Sequence, residues 1–118
     1  MMGITMNEYD EGKIWFKRKG SVVTVGLTEK AFEEIGGVQA VNLPVEGDEF
    51  TQDDVVAEVE GDHSTFEVIA PLAGLVVSVN ETLNEDFELL ESDPLDEGWI
   101  FKIRVPKGEG DTEDEQDE

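Results

Sequence analysis

The run Glu60-Gly61-Asp62-His63-Ser64-Thr65-Phe66-Glu67-Val68-Ile69-Ala70-Pro71-Leu72-Ala73-Gly74 joins two strand-like segments across a polar tip. Val55, Val56 and Val59 precede the tip, and Phe66, Val68 and Ile69 follow it. Apolar, β-forming residues on both sides of a short polar turn predict a β-hairpin whose end projects into solvent. The second arm must break near Pro71, which has no N–H to donate to a ladder, and Gly74 permits a bend. His63, the chain's sole histidine, is therefore expected at an exposed hairpin end.

Toward the N-terminus, residues 13–18 and 21–26 read as another hairpin that turns at Lys19-Gly20, with Val23 and Val25 on one face. Thr28 is placed to cap a helix of about two turns. Ala31, Phe32 and Ile35 give that helix an apolar stripe, and Gly36-Gly37 ends it. Residues 38–43 return to strand, with turns at 44–48 and 51–54 before the central hairpin. Toward the C-terminus, residues 75–79 resume as strand, and Asn80 is expected to cap a brief helical segment through Leu83. Residues 84–96 read as acidic and irregular, anchored by Phe87, Leu89 and Leu90. Residues 99–105 form the last strand, with Trp99, Phe101, Ile103 and Val105 sharing a face.

Many short strands, frequent turns and one or two short helices predict a mostly β fold, a sandwich or flattened barrel. Residues 1–12 read as a flexible lead-in and residues 13–107 as one domain. Residues 108–118, Gly-Glu-Gly-Asp-Thr-Glu-Asp-Glu-Gln-Asp-Glu, have no apolar side chain to bury and are expected to form a disordered acidic tail.

The net charge of −22 argues against nucleic acid and anionic membranes as partners, since both carry the same sign. Cysteine is absent, which excludes disulfides, thiolate metal sites and cysteine nucleophiles. With neither a signal-peptide pattern nor a stretch of membrane-span length, a cytoplasmic monomer is the expectation. Every Lys and Arg lies at or before Lys30 or at or after Lys102, so His63 is the sole side chain between them that can become positive. Two explanations stay open: an acid-rich surface kept soluble or adapted to salt, and a surface that steers toward a basic partner. The sequence shows neither a nucleophile–histidine motif nor a phosphate-cradling glycine loop, and the expectation is a protein that is not an enzyme.

Val25-Gly26-Leu27-Thr28-Glu29-Lys30-Ala31, then Ile35-Gly36, Val41-Asn42-Leu43-Pro44 and Gly47, resemble the first half of the glycine cleavage system H protein family. Ala70-Pro71-Leu72-Ala73-Gly74-Leu75-Val76, Val79-Asn80-Glu81, Asp93-Pro94 and Glu97-Gly98-Trp99-Ile100 resemble its second half, in the same order. The resemblance runs from about Trp15 to Val105 and implies a lipoyl-type barrel-sandwich hybrid with short flanking helices. It also implies a lysine at the hairpin tip that carries lipoate as a swinging arm between the enzymes of glycine cleavage. Counting back from Ala70-Pro71, the position implied for that lysine falls on His63, with Glu60 retained from the family's tip sequence.

An amide to lipoate needs a primary amine, and an acylated imidazole would hydrolyse, so His63 implies an unmodified chain with no cofactor. Three readings of His63 stay open: a polar residue released from its former task, a partner contact shared with Glu60 and Asp62, and a metal ligand with either carboxylate. The last is the weakest of the three, since one imidazole and scattered carboxylates lack the ligand count of a specific site, and no metal is expected. The implied function is a non-catalytic binding, regulatory or scaffold module toward glycine cleavage or lipoate-linked enzymes. The alternative is a working carrier modified at another amine, Lys30 or Lys102.

Overall fold

A computed structural model of the chain describes residues 6–106. The expected acidic tail, residues 108–118, lies outside the described residues, as do the first five residues of the lead-in. The strands are β1 (Met6–Tyr9), β2 (Ile14–Lys19), β3 (Val22–Leu27), β4 (Val38–Asn42), β5 (Glu49–Phe50), β6 (Val55–Gly61), β7 (Thr65–Ile69), β8 (Gly74–Val79) and β9 (Phe101–Arg104). Helix α1 spans Glu29–Ile35, a 3-10 turn spans Glu81–Asn84, and α2 spans Leu89–Ser92. Six strands form one antiparallel sheet in the order β1-β2-β3-β9-β8-β5, and three form another in the order β4-β6-β7. This mostly β, two-sheet arrangement with short flanking helices is the barrel-sandwich architecture expected above.

The core lies between the sheets. Val23, Val25 and Leu27 of β3 and Phe101 and Ile103 of β9 face Val59 of β6 and Val68 of β7, all with no measurable exposure. Burial of each such side chain stabilises the fold by about 1.5–3 kcal/mol, and alternation along the strands directs them inward. Helix α1 begins as its sequence requires: the Thr28 side chain accepts from Lys30 N at 3.3 Å while its hydroxyl donates to Gly12 O at 2.6 Å. Ala31 and Ile35 are its buried stripe.

The structure differs from the sequence expectations in four places. Met6–Tyr9, within the stretch read as a loose lead-in, is an edge strand paired along its length with β2. Met-Asn-Glu-Tyr carries little apolar periodicity, because backbone bonds to β2 hold it and an edge strand tolerates polar side chains. Asn80 does not cap through its side chain. It is buried instead, and its Nδ2 donates to Glu97 O at 2.9 Å and Trp99 O at 2.8 Å, pinning the segment that leads into β9. Part of the region read as irregular is helical, α2, which buries Leu90. Trp99 does not share the inward face of Phe101 and Ile103; Ile100 is buried in its place. The strand begins only at Phe101, and Ile100 N donates to O of Val25, the residue that pairs with Phe101, at 2.8 Å, so two consecutive residues meet one residue of β3 and both are buried.

Candidate functional site

The central hairpin forms as the residues 60–74 dictate. β6 and β7 pair with Val59 opposite Phe66 and Glu60 opposite Thr65, and a register irregularity falls between Val55 and Ala57. The tip closes through Gly61 N donating to Ser64 O at 2.9 Å. Asp62, His63 and Ser64 are exposed there, and Glu60 is exposed at the end of β6. The structure therefore brings Glu60, Asp62 and His63 together at one solvent-facing end.

The tip does not stand free. Asp62 N donates to Gly37 O at 2.9 Å and His63 N to Ile35 O at 2.8 Å, so the hairpin end is tied to the C-terminal end of α1. Two glycines make this approach feasible. A methyl group on Gly61 would lie 2.3 Å from Ile35 O, closer than real contacts allow. Gly36 has φ 83° and ψ −160°, a backbone region essentially reserved for glycine. A methyl on Gly36 would also meet the imidazole, 2.7 Å from His63 Cδ2 and 3.1 Å from Nε2, so the ring rests against the helix end.

Side chains complete the junction. The Asp62 carboxylate accepts from Gln39 Nε2, and Glu91 Oε2 of α2 accepts from Val38 N at 2.5 Å. The Asp62 and Glu91 carboxylates thereby flank the Gly37-Val38 segment, and the surroundings of the tip are acidic. Sequence reasoning missed Gln39 and Glu91 and treated Gly36-Gly37 only as a helix stop. Two consecutive glycines at a helix end, where one suffices, were the available signal of a close backbone approach.

The tip carries imidazole, carboxylate and hydroxyl groups and has no lysine. The two amines considered as alternatives sit elsewhere. Lys30 is at the first turn of α1, about 8 Å along the axis from the end that touches the tip, and its Nζ lies 3.5 Å from Glu11 O. Lys102 is on β9 of the other sheet, with its Nζ 5.0 Å from the Trp99 ring centroid. Among the described residues no group of three or more His, Asp or Glu side chains is arranged to hold a metal ion. No helix among them is long and apolar enough to cross a membrane.

Two packed sheets, one ending in a tight hairpin braced by a short helix, define a lipoyl-type barrel-sandwich domain. A family model described as glycine cleavage H-protein matches residues 7–117. The chain is 41% identical to the glycine cleavage system H protein of Thermotoga maritima over 113 residues, which are 96% of this chain and 90% of that one. It is also 41% identical to the probable glycine cleavage system H protein of Aeropyrum pernix, covering 82% of this chain and 68% of the relative. A crystal structure of the glycine cleavage system H protein from Mycobacterium marinum superimposes with a TM-score of 0.76 at 27% identity, covering 82% of this chain and 81% of the other. The chain belongs to the glycine cleavage H-protein family.

Proposed function

We propose that this protein keeps the H-protein carrier fold without its lipoyl tether and acts as a non-catalytic binding, regulatory or scaffold module toward glycine cleavage or lipoate-linked enzymes. The observation that carries this reading is the chemistry of the hairpin end. Lipoate is held in the family on a lysine, through an amide that only a primary amine forms stably, and the residues at this tip do not fit it. His63 takes the place of the attachment lysine, and no lysine occurs between Ala31 and Phe101 that a shift of register could bring there.

What the tip offers in place of an arm is a fixed polar surface. Glu60, Asp62 and His63 are exposed together, and the backbone beneath them is tied to α1 by two hydrogen bonds. Such a surface meets a protein partner with little backbone ordering left to pay, because two backbone hydrogen bonds already tie the loop to α1. The surface presented by other members of the family would be met by the same enzymes, while the missing amine removes transfer chemistry.

Intact-mass measurement of the full chain from a lipoylating host tests this. The expected mass is that of the unmodified chain. A lipoyl adduct on any residue overturns the reading, and peptide mapping of that adduct to Lys30 or Lys102 would establish the working carrier instead. The substitution His63→Lys should gain a lipoyl adduct in the same host if the hairpin geometry and the flanking Glu60, Gly61, Asp62 and Ser64 still satisfy the ligase; no adduct would mean that recognition has been lost along with the amine.

A further inference from the structure

The outer face of the six-stranded sheet carries a second arrangement, remote from the hairpin. Lys17 pairs with Thr24 and Thr24 with Lys102; in the next row Lys19 pairs with Val22 and Val22 with Arg104. Pairing partners and residues two apart share a face, so four cations stand on one side of three adjacent strands. Lys17, Lys19 and Lys102 line a groove of about 580 Å³ together with Trp15, Trp99 and exposed Leu95, and Asp96 is the acidic residue in its wall. Lys17 Nζ lies 5.2 Å from the Trp15 ring centroid and donates to Leu95 O at 3.4 Å. Lys102 sits over Trp99 in the same way.

In a chain with 30 carboxylates and 8 Lys and Arg residues, each cation is expected to find an acid nearby. Lys13 does so, 2.7 Å from Glu34 Oε1. Among the described residues, Lys17, Lys19, Lys102 and Arg104 have no carboxylate within ion-pair distance. Half of the protein's cations are thus gathered on one aromatic-lined face and left for an acidic occupant.

The described part of the chain ends beside the groove, and its sequence continues into acidic residues. β9 ends at Arg104, and Val105 N donates to Ser21 O at 2.8 Å, beside the turn that carries Lys19. Residues 108–118 then contribute seven carboxylates, Glu109, Asp111, Glu113, Asp114, Glu115, Asp117 and Glu118, and no cation. Taking these seven from the net charge of −22 leaves −15 on the remainder, so most of the body repels this segment. The cationic face is where attraction lies. A dozen residues span up to about 40 Å, against roughly 10 Å back along the strand from Val105 to Lys102 and roughly 20 Å to Trp99. Covalent attachment also holds the segment at an effective concentration on the order of millimolar.

We propose that the acidic segment 108–118 docks in cis on the Lys17–Lys19–Lys102 groove, covering the basic face of the larger sheet. The occupant is held by charge against the two tryptophan-backed lysines, so the contact weakens as salt is added. An external acidic peptide reaches this face only by displacing it.

The full chain allows a direct test, since it has no cysteine and Thr112→Cys offers a single attachment point for a nitroxide. Amide spectra are recorded at about 0.05 M and about 1 M salt, between which the Debye length falls from more than about 10 Å to about 3 Å. A several-fold loss of peak intensity is expected at Lys17, Thr24, Lys102 and the Trp99 indole at low salt, with recovery at high salt. The three-stranded sheet, Val38–Asn42 and Val55–Gly61, should keep its intensities. The same labelled chain carrying Lys17→Gln, Lys19→Gln and Lys102→Gln should lose the effect. Should that variant not fold, neutralising the segment by Asp111→Asn, Glu113→Gln, Asp114→Asn and Glu115→Gln makes the same demand. Absent, salt-insensitive or evenly spread broadening overturns the proposal. So does broadening of an isotope-labelled chain without nitroxide when it is mixed with spin-labelled chain, because the occupant would then be a second copy.

Discussion

Replacing Gly61 by alanine tests whether the hairpin end is braced by the helix or merely passes near it. The added methyl would lie 2.3 Å from Ile35 O and 2.8 Å from Ile35 C and Cβ, so strand and helix must separate by about 1 Å to restore ordinary contact. Overpacking of this kind costs about 1–3 kcal/mol. The displaced carbonyl is the acceptor for His63 N, and its neighbour Gly37 O is the acceptor for Asp62 N. Losing both bonds adds about 0.5–1.5 kcal/mol each. The stiffer unfolded chain returns about 0.4–1 kcal/mol, leaving a net destabilisation of about 3 kcal/mol. With a urea dependence of about 1–3 kcal/mol per molar, the unfolding midpoint should fall by roughly 1–3 M. Hydrogen exchange at the Asp62 and His63 amides should accelerate as well. His63→Ala is the control, since an exposed side chain whose structural bond is made by its backbone N–H should leave stability within about 0.5 kcal/mol. A Gly61→Ala midpoint within about 0.3 M of the parent, with unchanged exchange at those amides, would refute the bracing argument.

Asn80→Asp should cost about 2–4 kcal/mol in urea unfolding, because a buried carboxylate would face the Glu97 and Trp99 carbonyls that now accept from Nδ2. Trp15→Phe removes the bond from Nε1 to Pro94 O at 2.8 Å along with part of a buried ring, and a loss of about 1–3 kcal/mol is expected by the same assay. Asp54 is held below the ordinary aspartate range, first by the Thr51 N–H and then by the Thr51 hydroxyl, both donating to it at 2.8 Å. The unfolded chain therefore binds this proton more readily than the folded one. The stabilisation is present above the ordinary aspartate range and disappears as pH falls through the lowered value. Midpoints measured against pH for Asp54→Asn should lie below the parent near neutrality and converge on it in acid; a constant offset would contradict that assignment.

The hairpins, the Thr28-capped helix and most of the core were legible because they follow from local rules. Alternation in residues 65–69 directs Phe66 and Val68 inward, and the Thr28 cap and glycine stop bound α1 whatever lies around it. Met6–Tyr9 was illegible because its ladder partner, not its own pattern, makes it a strand. Asn80 misled for a related reason. Asparagine favours both a helix start and a buried bridge between carbonyls, and only the approach of the segment 97–99 selects the second.

By itself the sequence determined the mostly β class, the placement of His63 at a hairpin end and the absence of any lysine from residue 31 to 101, because periodicity, turn chemistry and residue identity are local. Tertiary structure alone decided that the hairpin end leans on Ile35 and Gly37 and that Lys17, Lys19, Lys102 and Arg104 share one face. Those contacts join residues about 26 and more than 80 positions apart, and no periodicity along a chain encodes which distant strands become neighbours.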